Sequence, residues 1–263
     1  MESTYFAIAF LSGIIPALFW VWFWLREDAR KPEPYFLIAI SFIGGMAVVP
    51  LVFPLQKAVL DLYPATDSIL TGISHLIPLL QEPIQNLISR TVHGTDTIIM
   101  WVLFEELLKY AAAIVLIFWN REVDEPIDMV IYLIVIALGF AALENALFIF
   151  NPLALGSYFD SALTGSFRFL GATLLHVLAS GTIGIALALA YYKSRFIQLL
   201  AGMTGLFIAV VLHALFNFFI MNANGETILL IFLFVWMGIV VMFLLFEKIK
   251  FLERNYNRKR TWQ

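Results

Sequence analysis

The chain contains no cysteine, so a disulfide framework, an iron–sulfur cluster and thiolate catalysis are excluded, whatever the compartment. Charge is scarce as well: Asp, Glu, Lys and Arg make up 13% of its 263 residues, about half the share in a soluble domain. That scarcity excludes a disordered tail, a coiled coil and a basic nucleic-acid binder, so no nucleic-acid partner is expected. No repeat, low-complexity tract or linker marks off a second domain, and one transmembrane domain over 1–263 is expected. What the chain has instead is apolar length. Hydrophobic residues reach 62%, gathered into long uninterrupted blocks of the kind that span bilayers.

Seven stretches are long enough to cross: 5–25, 35–56, 97–119, 127–150, 167–192, 197–220 and 226–246. The expected fold is an all-α polytopic bundle of about seven helices, or eight if segment 68–88 is a proline-broken span. The long loop 57–96 is otherwise expected to hold an interfacial or re-entrant segment. With Glu2 the only charge before Arg26, no basic leader precedes the first span, which reads as a mature helix. Twelve of the sixteen Lys and Arg residues fall in loops 26–34, 120–126 and 193–196 and the tail 247–263. The alternate loops hold only Lys57, Arg90 and Arg168. The positive-inside rule then places the N-terminus and loop 57–96 outside and the basic tail in the cytoplasm of a multi-pass cell-membrane protein. Lipid surrounds the spans; the sequence is silent on oligomeric state.

Ionisable groups are costly in hydrocarbon and seldom sit there without a task. Spans one, two and seven have none in their interiors. The middle four hold Glu105, Glu106 and Lys109; Glu144 with Asn145; His176; and His213 with Asn217. Counted from the outer end of its span, Glu105 lies 8 residues in, Glu144 6, His176 9 and His213 7. At 1.5 Å per residue all four sit roughly 9–14 Å below the outer hydrocarbon edge. One shared, water-accessible site explains a common depth on four helices, so the catalytic core is expected over 97–220. Glu105 and Glu106 point about 100° apart and must differ in role, and Lys109 can pair with either.

Carboxylates and imidazoles in one layer suit activation of water. His176, His213 and Glu144 are a candidate Zn²⁺ set with an open position for water. Metal-free general-base hydrolysis uses the same residues, with Asn217 stabilising an oxyanion, and the sequence leaves the two open. Rival signatures are missing. Val177 and Ala214 follow the two histidines where HExxH requires glutamate, and Leu178 stands where a GxSG serine motif needs glycine. The paired ExxH of a di-iron bundle is absent, and the span interiors offer no aspartate pair.

Four motifs in order, one per span, carry a resemblance. They are Glu105-Glu106-x-x-Lys109, Phe140-x-x-x-Glu144, His176 followed eight residues later by Gly184, and His213-x-x-x-Asn217. Over roughly 97–220 the chain resembles the PrsW family of intramembrane proteases, related to the CAAX prenyl endoproteases and bacteriocin-processing membrane proteases. The resemblance implies an endopeptidase acting on membrane-anchored substrates near the outer face, of the type that initiates cleavage of anti-sigma factors. It implies Glu105 or Glu106 as base, Glu144, His176 and His213 completing the site, and Lys109, Phe140 and Gly184 in support. Phe148 stands where the family pattern carries tyrosine, and Asn217 where an acidic residue is common.

Two other classes use such residues. A proton- or cation-coupled transporter needs a polar path to both faces, and the cytoplasmic halves of spans three to six supply almost none of it. A bis-histidine haem site suits His176 and His213 but not three nearby glutamates.

Overall fold

A computed structural model of the protein describes residues 2–26, 31–76, 95–223 and 225–260, and among these every regular element is helical. The helices are α1 (Glu2–Leu25), α2 (Tyr35–Leu76), α3 (Thr95–Leu116), α4 (Pro126–Ala154), α5 (Tyr158–Phe167), α6 (Thr173–Leu189), α7 (Arg195–Met221) and α8 (Gly225–Arg260). A π-helical turn, Arg168–Ala172, joins α5 to α6 in one continuous rod.

Among the described residues six rods are long and apolar enough to cross a membrane by composition alone. The seventh expected span is α3, 22 residues long, whose Glu105, Glu106 and Lys109 lower its hydropathy; it packs against α2 and α7 in the same bundle. Three further boundaries differ. Lys57 and Pro64 read as loop punctuation, yet α2 continues to Leu76 and so covers the first half of the expected loop 57–96. Residues 77–94, and with them the rest of the expected interfacial or re-entrant loop and the end of segment 68–88, lie outside the described residues. The basic tail is helical as far as Arg260. The fifth rod starts at Tyr158, not 167, which puts Arg168 inside a 32-residue helix instead of a loop.

Helix α4 is the axis of the molecule. In its most apolar window 89% of residues are buried, against 28% for α1 and 22% for α8. Lipid tails are as apolar as leucine, so association here depends on close packing more than on exclusion of water. Two glycines make the tightest crossing possible. A Cβ on Gly139 of α4 would lie 1.9 Å from the Phe42 carbonyl oxygen, and one on Gly45 of α2 would lie 1.9 Å from that of Ile136. On the other side, a Cβ on Gly184 would meet the Val130 Cα at 2.6 Å, so α6 also lies directly on α4. Helix α8 closes the bundle over α1, where the buried Trp24 stacks on Phe243 with centroids 4.9 Å apart. The rim exposes large apolar side chains, Phe207 (69%), Leu229 (71%) and Phe234 (73%) among them, a surface that suits lipid and not water.

The face where α1 ends and α4 begins is organised by charge. Lys31 bridges Asp124 at 2.8 Å and Glu125 at 3.2 Å, and both raise its pKa. Asp128 is buried and accepts the backbone N–H groups of Asp124 and Glu125, which caps α4. The Tyr132 hydroxyl donates to Glu33, whose carboxyl is pushed up by burial.

Candidate active site

The four motif-bearing helices meet at one buried cluster. From α3, Glu106 and Lys109 are fully buried and joined at 2.5 Å across one helical turn. Glu106 also accepts the Ser180 hydroxyl at 3.1 Å and bonds His213 Nδ1 at 2.8 Å. A carboxylate already holding an ammonium, a hydroxyl and an imidazole is committed to those partners; its place is to hold them. Its neighbour is different. Among the described residues Glu105 bonds only Gln56, at 3.4 Å through Oε1, and its buried Oε2 has no hydrogen-bond partner. That orphan oxygen lies 3.8 Å from His213 Nε2.

The histidine tautomers follow from these partners. Glu106 accepts, so His213 Nδ1 donates, and in the neutral ring Nε2 then presents its lone pair towards Glu105. Lys109 is a donor only, and its Nζ lies 3.0 Å from His176 Nδ1. His176 therefore carries its proton on Nε2, which faces Glu144 Oε2 at 3.0 Å. The two rings meet edge to face, centroids 4.8 Å apart. Phe140 roofs the cluster, with Lys109 Nζ 4.5 Å from its centroid and the His176 ring at 5.1 Å. Gly184, two turns along α6 from His176, permits the close contact with the Val130 backbone of α4 that brings the two helices together.

Glu105, His176 and His213 offer ligand atoms that all lie within 4.8 Å of one another. Two histidines and a glutamate form the donor set of many catalytic zinc sites, and the Glu106–His213 bond is the outer partner such a histidine has. The orphan Glu105 oxygen and the available His213 Nε2 fit a divalent metal; His176 is the member with both nitrogens already engaged. Glu105 takes the place sequence reasoning gave Glu144, because Glu144 is ion-paired with Arg168.

Residues 33–246 match the model of the PrsW family intramembrane metalloproteases. The chain belongs to that family. No curated protein and no solved structure matches it. The match takes in every residue of the cluster and leaves out α1 and the end of α8. A PrsW-family chain built as an apolar helical bundle is a membrane-embedded protease, with its polar residues gathered between helices.

Within this PrsW site, some neighbours had not been singled out. Ser180 reads in sequence as one of several small residues on the His176 face; its hydroxyl is a ligand of Glu106. Arg168 reads as a loop cation, yet it grips Glu144 and also bonds Asn145 Oδ1 at 2.5 Å. The available signal was the charge of Glu144, which no cation on its own helix could balance. Asn145 completes its own bonding to Thr173 at 2.9 Å, an interhelical link. Asn217 is half-buried one turn beyond His213, with no hydrogen bond to any described residue.

Proposed function

We propose that this PrsW-family protease cleaves single-span membrane proteins in the outer half of the bilayer, by water activated between Glu105 and His213. The observation that carries the reading is the pairing of an orphan carboxylate oxygen, Glu105 Oε2, with His213 Nε2 at 3.8 Å. A water seated beside that pair, within hydrogen-bond reach of both atoms, is one that both groups can polarise, and a buried carboxylate with one oxygen unbonded is the better base of the two glutamates. Glu106 orients His213. Lys109 holds Glu106 and the His176 ring, and Glu144 completes the grip on His176. Asn217, with its amide uncommitted, is placed to meet the substrate carbonyl as charge develops on it. A divalent metal such as Zn²⁺, when bound by Glu105, His176 and His213, supplies Lewis-acid polarisation and a more acidic water.

The loop charges support the topology, with the N-terminus outside and the tail in the cytoplasm of a cell membrane, which sets the cluster in the outer half. A substrate of the anti-sigma-factor type, one membrane span with an extracytoplasmic domain, fits that depth. The test is cleavage of a single-span substrate by the purified protein in nanodiscs, with the product ends mapped by mass spectrometry. A cut in the outer third of the substrate span is expected. An intact substrate, or a cut near the cytoplasmic end, would overturn the reading.

A further inference from the structure

Arg168 belongs to none of the four motifs, yet it is wired into the site. Its Nη2 is paired with Glu144 Oε2, its Nε donates to Asn145 Oδ1 at 2.5 Å, and its guanidinium lies 4.0 Å from the centroid of Phe148. The same Glu144 Oε2 faces His176 Nε2 at 3.0 Å. One carboxylate oxygen from α4 is thus held from two directions by side chains of the same rod.

The π-helical turn makes this possible. In an uninterrupted α-helix, eight residues separate Arg168 from His176 by about 800°, which leaves them about 80° apart on the surface. Here the Thr173 N–H reaches the Arg168 carbonyl, five residues back. The turn inserts one extra residue, so the eight steps sweep about as far as seven, roughly 700°, and the two side chains fall within about 20° of one face. A π turn costs hydrogen-bond geometry and is found mostly where a side chain must be re-aimed. Phe148 offers the guanidinium a flat ring on which to lie.

We propose that Arg168 is a positioning residue for the hydrolysis: by gripping Glu144 it fixes the ring of His176 at the reaction centre. This rests on the protease reading above. A cation that merely neutralised Glu144 would affect stability alone; a positioning residue also sets the His176 ring and the turnover number.

The full-length protein, labelled with ring-¹⁵N histidine, is compared in nanodiscs as wild type, Arg168→Gln, Arg168→Lys, Glu144→Gln and the Arg168→Gln/Glu144→Gln pair. Loss of an outer-shell partner typically costs about 10–100-fold, so Arg168→Gln is expected to lower kcat by that factor with KM within about twofold. Its His176 ring signals should shift, and Arg168→Lys should restore part of both. In the Glu144→Gln background, Arg168→Gln should cost little more, because the connection is already cut. Wild-type kcat in Arg168→Gln, unmoved His176 signals, or fully additive losses would each overturn the proposal. If Arg168→Gln does not fold, Arg168→Lys decides: it keeps the charge but not the forked grip, and unmoved His176 signals in it contradict the assignment. An inactive wild type would count against the protease reading, while the ring spectra would still judge Arg168.

Discussion

Glu105 and Glu106 are adjacent in sequence and both face His213, from opposite nitrogens, yet differ in their bonding. Glu106 is the hub of an ion pair, a hydroxyl and an imidazole; Glu105 keeps one oxygen buried and unbonded. Their substitutions should therefore separate chemistry from stability. Glu105→Gln is expected to cut turnover by about 10²–10⁴-fold, the worth of a general base, with the thermal unfolding midpoint unchanged or raised. Glu106→Gln is expected to lose activity and, by leaving Lys109 buried without its counter-charge, about 3–5 kcal/mol of stability. Chemical-denaturant melts beside initial rates check both. A second residue-scale prediction concerns Glu33, outside the spans. Burial raises its carboxyl pKa, so the folded state holds that proton to higher pH than the unfolded chain does. Wild-type stability should then fall as pH rises above the ordinary glutamate range. Glu33→Gln, whose amide oxygen still accepts from Tyr132, should raise the melting midpoint at neutral pH and have no effect at the acid end of a pH-scanned melt.

At the scale of elements, the motifs were legible because α-helical spacing is short-range: EExxK and HxxxN place their members on known faces before any partner is known. What was not legible depended on contacts between helices. Arg168 read as a loop residue because a lone cation beside Gly165 and Ser166 ends an apolar run; its pairing with Glu144 gives that charge a partner within the helix that runs on from Tyr158. Glu144 read as a metal ligand for the same reason, since nothing in one dimension reveals the Arg168 that occupies it. Helix α2 outran its expected end because helix length is set by its own backbone bonds, not by hydrocarbon thickness. The glycine crossing makes an element-scale prediction. Gly139→Ala drives a methyl into the Phe42 carbonyl, which cannot move as a side-chain tip does. A destabilisation of about 3 kcal/mol or more is expected, the upper end for overpacking, with activity falling in step with the folded fraction on a melt.

At the scale of the molecule, fold class, membrane residence and family were readable from composition and order, and orientation rests on where the few charges lie. The absence of cysteine makes that orientation simple to measure. Single cysteines placed at Gly156 and at Asn120, on opposite faces of the bundle, can be labelled in intact cells with a membrane-impermeant thiol reagent. Labelling at Gly156 without permeabilisation, and at Asn120 only after it, is expected; the reverse pattern would invert the topology. The central claim is that four helices converge to activate one water at Glu105 and His213 for peptide hydrolysis inside the bilayer. It is tested most directly by the rate at which purified wild type and Glu105→Gln, each shown to be folded, cut a single-span substrate in nanodiscs. Cleavage by the wild type with a loss of at least about a hundredfold in Glu105→Gln is the result predicted here. Cleavage by folded Glu105→Gln at the wild-type rate would contradict it.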